Sequence, residues 1–130
     1  MAERLHLILT SDTREKMQMA GMITAVSAAM GSEVSVFVSM NALRYFRKQT
    51  TNVDVPCEGE VGQLLQSKKA PLFTDLFHQA VTLGTVQVAP CSMAMDILGL
   101  TPADLVSYMG KPVGLTKFLS ELDGSHVLTF

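Results

Sequence analysis

Cys91 is the residue in this sequence best placed to do chemistry. It falls in VQVAPCSMAMDILGL (86–100), where an apolar run reaches Pro90 and a helical pattern begins at Ser92. A sulfur at a helix start faces the unpaired N–H groups of the first turn, here those near Met93 and Ala94. Those donors and the helix dipole favour the thiolate, which is the nucleophilic form. Neither Pro90 nor Ser92 adds an opposing charge, and Asp96 stands five residues further on. Packing is the competing use, because cysteine is among the most often buried residue types. On the residues alone both uses stay open.

The second cysteine differs in its surroundings. Cys57 sits in TTNVDVPCEGE (50–60), a polar stretch of turn composition with Asp54, Glu58 and Glu60 nearby. Local negative charge disfavours a thiolate, so Cys57 reads as an incidental loop thiol, with a resolving or accessory thiol the alternative. Two cysteines with 33 residues between them make no disulfide framework. No CxxC and no His/Cys cluster has zinc spacing, so no metal site is expected. His6, His78 and His126 lack sequence-local partners, and a structural role is expected for each. LTSDTREK (9–16) resembles a phosphate-holding turn in its hydroxyl residues, yet it lacks glycine for close backbone approach. An ordinary capped helix start is the better reading. With no GxGxxG or Walker sequence and few aromatics to sandwich a flavin, no cofactor is expected.

The elements that must position Cys91 follow from periodicity. RLHLILT (4–10), EVSVFVS (33–39), TVQVAP (85–90) and SHVLTF (125–130) read as strands. Asp12 and Glu15 resemble a capping box, which starts a helix near Thr13 that runs to about Met30. Further helices are expected at 40–49, 61–68, from Pro71 to Gly84, at 92–98 and at 115–122. Thr101-Pro102-Ala103-Asp104 is another start signal, and VSYMGKPV (106–113) is ambiguous, with room for a short strand. Met19, Met22, Val26 and Met30 form a stripe on the first long helix, widened by Met17 and Ile23. Core packing is its default use and a subunit interface the alternative. Strands alternating with helices imply a three-layer α/β/α sandwich with a mostly parallel sheet of four or five strands. All 130 residues are read as one domain. In such sheets reactive groups gather at the carboxyl ends of the strands, where Thr10–Thr13, Ser39–Asn41 and Pro90–Ser92 fall.

Composition narrows the partners. The formal net charge is −2, with no Trp and two Tyr, so no nucleic-acid footprint is present. Glu3, Arg4 and His6 interrupt any signal-peptide pattern. The longest apolar stretch (19–31) is shorter than the ~20 residues a membrane span needs, so no transmembrane segment and a cytoplasmic setting are expected.

With these residues in place, the sequence resembles the DsrE/DsrF-like family, in particular its single-domain DsrE2/DsrE3 branch, often labelled peroxiredoxin-like. APCSMAMDILGL (89–100) is similar to that branch's cysteine motif, Cys-Ser-Met-x-Met-Asp followed by an apolar pair and glycine. FVSMNALRYFRK (37–48) resembles the aromatic segment after the second strand, without the family's usual tryptophan, and GLTKFLSEL (114–122) resembles its late helix. The resemblance implies a sulfur-trafficking protein that receives sulfane sulfur or thiosulfate on Cys91 and exchanges it with a small TusA-like carrier protein. It implies work beside heterodisulfide-reductase-like or reverse sulfite-reductase machinery in sulfur oxidation, and a homo-oligomer, with a trimer the leading expectation. A thiol peroxidase using the same thiolate is the alternative.

Overall fold

Val, Leu and Phe dominate three of the four segments that become strands, as β-branched and bulky residues suit a pleated, buried surface. A computed structural model describes residues 3–51 and 54–130. In chain order the elements are β1 (Arg4–Leu9), α1 (Arg14–Ala29), β2 (Glu33–Val38), α2 (Met40–Leu43) and a 3₁₀ turn (Arg44–Phe46). They continue as α3 (Glu60–Ser67), α4 (Phe73–Leu83), β3 (Val86–Pro90), α5 (Ser92–Leu98), a second 3₁₀ turn (Pro102–Asp104), α6 (Leu115–Ser120) and β4 (His126–Thr129).

The described strands form one parallel sheet in the order β3-β2-β1-β4. Parallel neighbours cannot be joined by a tight hairpin, so each connection crosses the sheet through helical segments. One face carries Leu7, Leu9, Val36 and Val38, almost fully buried, and α1 packs with α4 as the layer over it. The opposite face is closed at its centre by Phe118 of α6, whose ring lies 5.0 Å from Phe37 and 5.0 Å edge-on to His6. The result is the expected α/β/α sandwich. On the first side, Phe46 meets Phe73 at 5.4 Å and Phe77 at 5.5 Å, which fixes the turn after α2 onto α4. Among the described residues no helix is long and apolar enough to cross a membrane.

Three local expectations are corrected. The segment 106–113 holds no strand. Gly110 to Gly114 instead lies along the outer edge of β3 as a strap: the Gly110 N–H donates to Val88 O (2.7 Å) and the Val113 N–H to Pro90 O (2.9 Å). Pro112 has no N–H to give, so the pairing cannot continue into a ladder. The 40–49 helix is shorter than expected and finishes as the 3₁₀ turn at Phe46. The methionine stripe is not core, since Met19, Met22, Val26 and Met30 are between 45% and 78% exposed. Instead α1 buries Met17, Ala20, Gly21, Thr24 and Ala28. These are mostly small residues, because α4 comes close: a Cβ on Gly21 would lie 3.2 Å from Leu76 Cβ.

The Asp12/Glu15 capping box does not form either. Thr13 is the N-cap of α1 and makes no side-chain cap bond. Glu15 reaches across the chain, and its carboxylate accepts the N–H groups of Glu58 (2.8 Å) and Gly59 (2.7 Å) at the start of α3. Gly59, the N-cap of α3, has no side chain with which to cap its own helix. Burial works against the charged form of Glu15, but the N–H groups of Glu58, Gly59 and Gly62 outweigh it and hold the carboxyl below its ordinary range. Gly62 is the residue this arrangement demands, because a Cβ there would stand 2.5 Å from Glu15 Oε1 and 2.9 Å from Cys57 Cβ.

Gly62→Ala should therefore destabilise the protein by about 2 kcal/mol in denaturant unfolding, although alanine is the better helix former. Adding Glu15→Ala should recover part of that loss, because it removes the crowded carboxylate; strict additivity of the two would contradict the contact. A depressed folded-state value also means that the Glu15 contribution is present above the ordinary carboxylate range and disappears as pH falls through the folded value. The stability difference between wild type and Glu15→Gln should shrink accordingly in acid.

Candidate functional site

Cys91 stands where β3 becomes α5. Its N–H donates to Val38 O (2.8 Å), which carries the β2–β3 pairing one residue past the strand. Its carbonyl accepts the Met95 N–H (3.0 Å), which makes it the N-cap of α5. Gly99, in the left-handed region at φ 68°, ends the helix and lets the Leu100 N–H return to Met95 O (2.9 Å). The helix start that the sequence implies is therefore present, residue for residue.

The surroundings of the sulfur are more closed than the sequence suggests. Cys91 is 5% exposed. The Ser92 N–H, the first free donor of α5, is taken by Val113 O (3.0 Å), and Val113 pairs with Cys91 as an isolated parallel bridge. The sulfur itself makes no cap hydrogen bond to the first turn. The Met93 and Ala94 N–H groups remain as the first-turn donors nearest to it. Strap residues Gly110–Gly114 were not legible as part of the site; the Gly-x-Pro-x-Gly pattern is the one signal that marks an extended segment unable to form a regular strand.

The other two turns at the carboxyl edge are occupied by the chain's own groups. Phe130 O accepts the N–H groups of Thr10 (2.8 Å) and Ser11 (3.2 Å) and the Thr10 hydroxyl (3.1 Å). A phosphate would need those same donors, so LTSDTREK is an ordinary turn, as expected. Ser39 is buried at the end of β2, with its N–H on Leu9 O (2.9 Å), and Met40 follows with a positive φ of 52°.

Cys57 is partly exposed and lies in a separate loop, tied to α1 through the Arg14 N–H on Pro56 O (2.8 Å). Glu15 also comes close to it, both flanking the same spot beside Gly62, which the sequence does not announce because 41 residues intervene. The histidines are dispersed, as expected. His6 is buried under Phe118, and burial together with Arg4, against the opposing effect of Glu121, keeps its ring below the usual histidine range. His78 stacks on Tyr108 at 5.3 Å, and His126 is exposed on β4. Tyr108 donates to Thr74 O (2.8 Å), and burial with Asp75 nearby pushes its phenol well above the ordinary range. A cleft of about 440 Å³ beside that pair, lined by Arg47, Lys48, Asp75 and His78, does not include Cys91. Among the described residues no histidine hydrogen-bonds Cys91, and no group of three or more His, Cys, Asp or Glu could hold a metal ion.

Comparison with known proteins places this geometry in a family. Among solved structures, the ychN protein from E. coli superposes with a TM-score of 0.64 at 14% identity, with 100% of each chain covered. A protein of unknown function, MTH1491 from Methanobacterium thermoautotrophicum, superposes with a TM-score of 0.61 at 12% identity, covering 98% of this chain and 99% of its own. At such identities the likeness is one of fold. No curated protein matches in sequence. Residues 52–130, which include both cysteines, β3, the strap and β4, match the DsrE/DsrF/DrsH-like family, and the chain belongs to it.

Proposed function

We propose that this chain is a DsrE-like domain of 130 residues that carries sulfur on Cys91, working in the cytoplasm as a sulfur carrier or sulfurtransferase. The observation that supports it most is the position of Cys91, at the carboxyl end of β3 and the start of α5, beside backbone donors and walled by the strap. Membership of the family supports a sulfur-related role.

The chemistry is thiol–disulfide-type exchange. Cys91 loses its proton to solvent and attacks a sulfane sulfur of a polysulfide. A new S–S bond forms at Cys91 as the donor's S–S bond breaks, and the shortened polysulfide leaves with the electron pair. With tetrathionate the same attack leaves a thiosulfonate on Cys91 and releases thiosulfate. An incoming thiolate, such as that of a TusA-like carrier protein, then attacks the outer sulfur and Cys91 departs as thiolate. Helix-start donors suit this cycle, since the persulfide and the departing thiolate are both anions. Cys91 itself is 5% exposed, and shielding of its sulfur from bulk solvent is what a carrier needs between partners. Heterodisulfide-reductase-like machinery in sulfur oxidation is the setting in which such a carrier would serve.

Exposed Met19, Met22, Val26 and Met30 support self-association, with a trimer the form proposed. Light scattering should give a mass several times 14.1 kDa at micromolar concentration; a monomer throughout would remove this part of the reading.

Intact-mass measurement after exposure to polysulfide or tetrathionate should show a sulfane-sulfur or thiosulfonate adduct that dithiothreitol removes. Cys91→Ser should keep the fold and abolish the adduct, whereas Cys57→Ser should load nearly as wild type. Loading of Cys91→Ser at the wild-type rate would refute the assignment. Equal loss in Cys57→Ser would require the two thiols to act as a pair. Oxygen adducts on Cys91 from peroxide, with no adduct from any sulfur donor, would identify a peroxidase instead.

A further inference from the structure

Cys91 continues a row on β3. Gln87 and Ala89 point to the face opposite Val86 and Val88, and the alternation carries that row on to Cys91. Between the edge of β3, the strap and α6 lies a cleft of about 370 Å³, lined among others by Val88, Ala89, Tyr108, Lys111, Val113 and Lys117; Cys91 is not among its lining residues. Two lysines line it and no carboxylate does, while Tyr108 remains a neutral phenol. Other cationic clefts are built differently. Asp75 accompanies Arg47 and Lys48, and Glu33 and Glu121 accompany Arg4. A cleft between Arg44 and Arg47 has no acid, but it opens beside Ile97 and Leu98, about 9 Å along the helix from Cys91.

Val113 relates the lysine cleft to Cys91, because it lines the cleft and its backbone pairs with that of Cys91. Two exposed lysines over an apolar floor favour a small dianion, because each of its charges can be matched, by an attraction that salt screens. The anionic sulfur donors that could load Cys91 have that size and charge.

We propose that the cleft between β3, the strap and α6 is a binding site for a small inorganic dianion, and that Lys111 and Lys117 are positioning residues that present a sulfur oxyanion donor to Cys91. The binding stands on the cleft alone; its use in loading rests on the sulfur-carrier reading of Cys91. The lysines act on the charge of the donor and leave the thiol itself unchanged. Donors without charge should therefore be indifferent to them.

Two measurements test this separately. In Cys91→Ser, which cannot react, titration with thiosulfate followed by amide NMR should give saturable shifts at 87–89 and 110–117. Those shifts should weaken with added salt and vanish when Lys111→Gln and Lys117→Gln are added. Sulfate, of equal charge and without sulfane sulfur, should compete. Shifts elsewhere, persistence without the lysines, or failure of sulfate to compete would each overturn the dianion site. With Cys91 intact, each lysine substitution should raise the tetrathionate concentration for half-maximal loading about tenfold. The saturating rate, and loading by an uncharged organic trisulfide, should stay the same. If both donors slowed equally, the lysines would be supporting the fold or the thiol, and the positioning role would be wrong. If wild type took sulfur from no donor while the NMR titration still saturated, the carrier reading would fail and the anion site would stand.

Discussion

The backbone at the carboxyl end of β3 has hydrogen-bonding groups on both sides, and the arrangement around Cys91 follows from satisfying them. Inward, the Cys91 N–H is used by Val38 O, which holds the residue in register with β2. Outward, Pro90 O and the Ser92 N–H point away from the sheet, and Val113 supplies a partner to each. An edge strand left open in this position would be a template for pairing with another chain. Covering it with an irregular strap interrupted by proline closes the edge without building a fifth strand. The same segment pairs with the backbone of Cys91, so closing the sheet edge and holding the thiol-bearing residue in place are one structural fact.

Most of the sandwich was legible because its signals are local. β1, β2 and β3 read directly from runs of Val, Leu, Ile and Phe, and α5 from the stop at Gly99 and the turn at Pro90. Cys91 could be placed at a helix start for the same reason. What stayed hidden depended on distant partners. Glu15 matched a capping box in its own helix, but it serves a helix that begins at Glu60, because Gly59 offers no cap there. The methionines of α1 read as core by hydropathy, yet the close approach of α4 at Gly21 reserves the inner face for small side chains. Val113 looks like any valine until β3 is known to be an edge.

The two cysteines are held by different physics, although each shortly precedes a helix. Cys91 is fixed by backbone pairing and sits among apolar core residues. Cys57 is fixed indirectly, through a carboxylate that caps the helix after it and through the Arg14 N–H on Pro56 O. The first environment sets the residue at the N-terminus of a helix, and the second sets it in a loop that a carboxylate ties down. Sequence alone indicated this contrast through Asp54, Glu58 and Glu60, while the fold adds Glu15, which meets the same spot beside Gly62 as Cys57 does.

The outward-facing thioethers have a consequence for oxidative chemistry. Met19, Met22, Met30, Met40 and Met93 are all exposed, whereas Cys91 is covered. Thioether oxidation follows access, so on a free subunit an oxidant arriving from solvent meets these methionines before it meets the thiol. Those residues can absorb oxygen as sulfoxides without touching Cys91. Two sulfoxides add nearly the same mass as one sulfane sulfur, but dithiothreitol strips only the latter, so reducibility rather than mass reports which sulfur atoms have reacted.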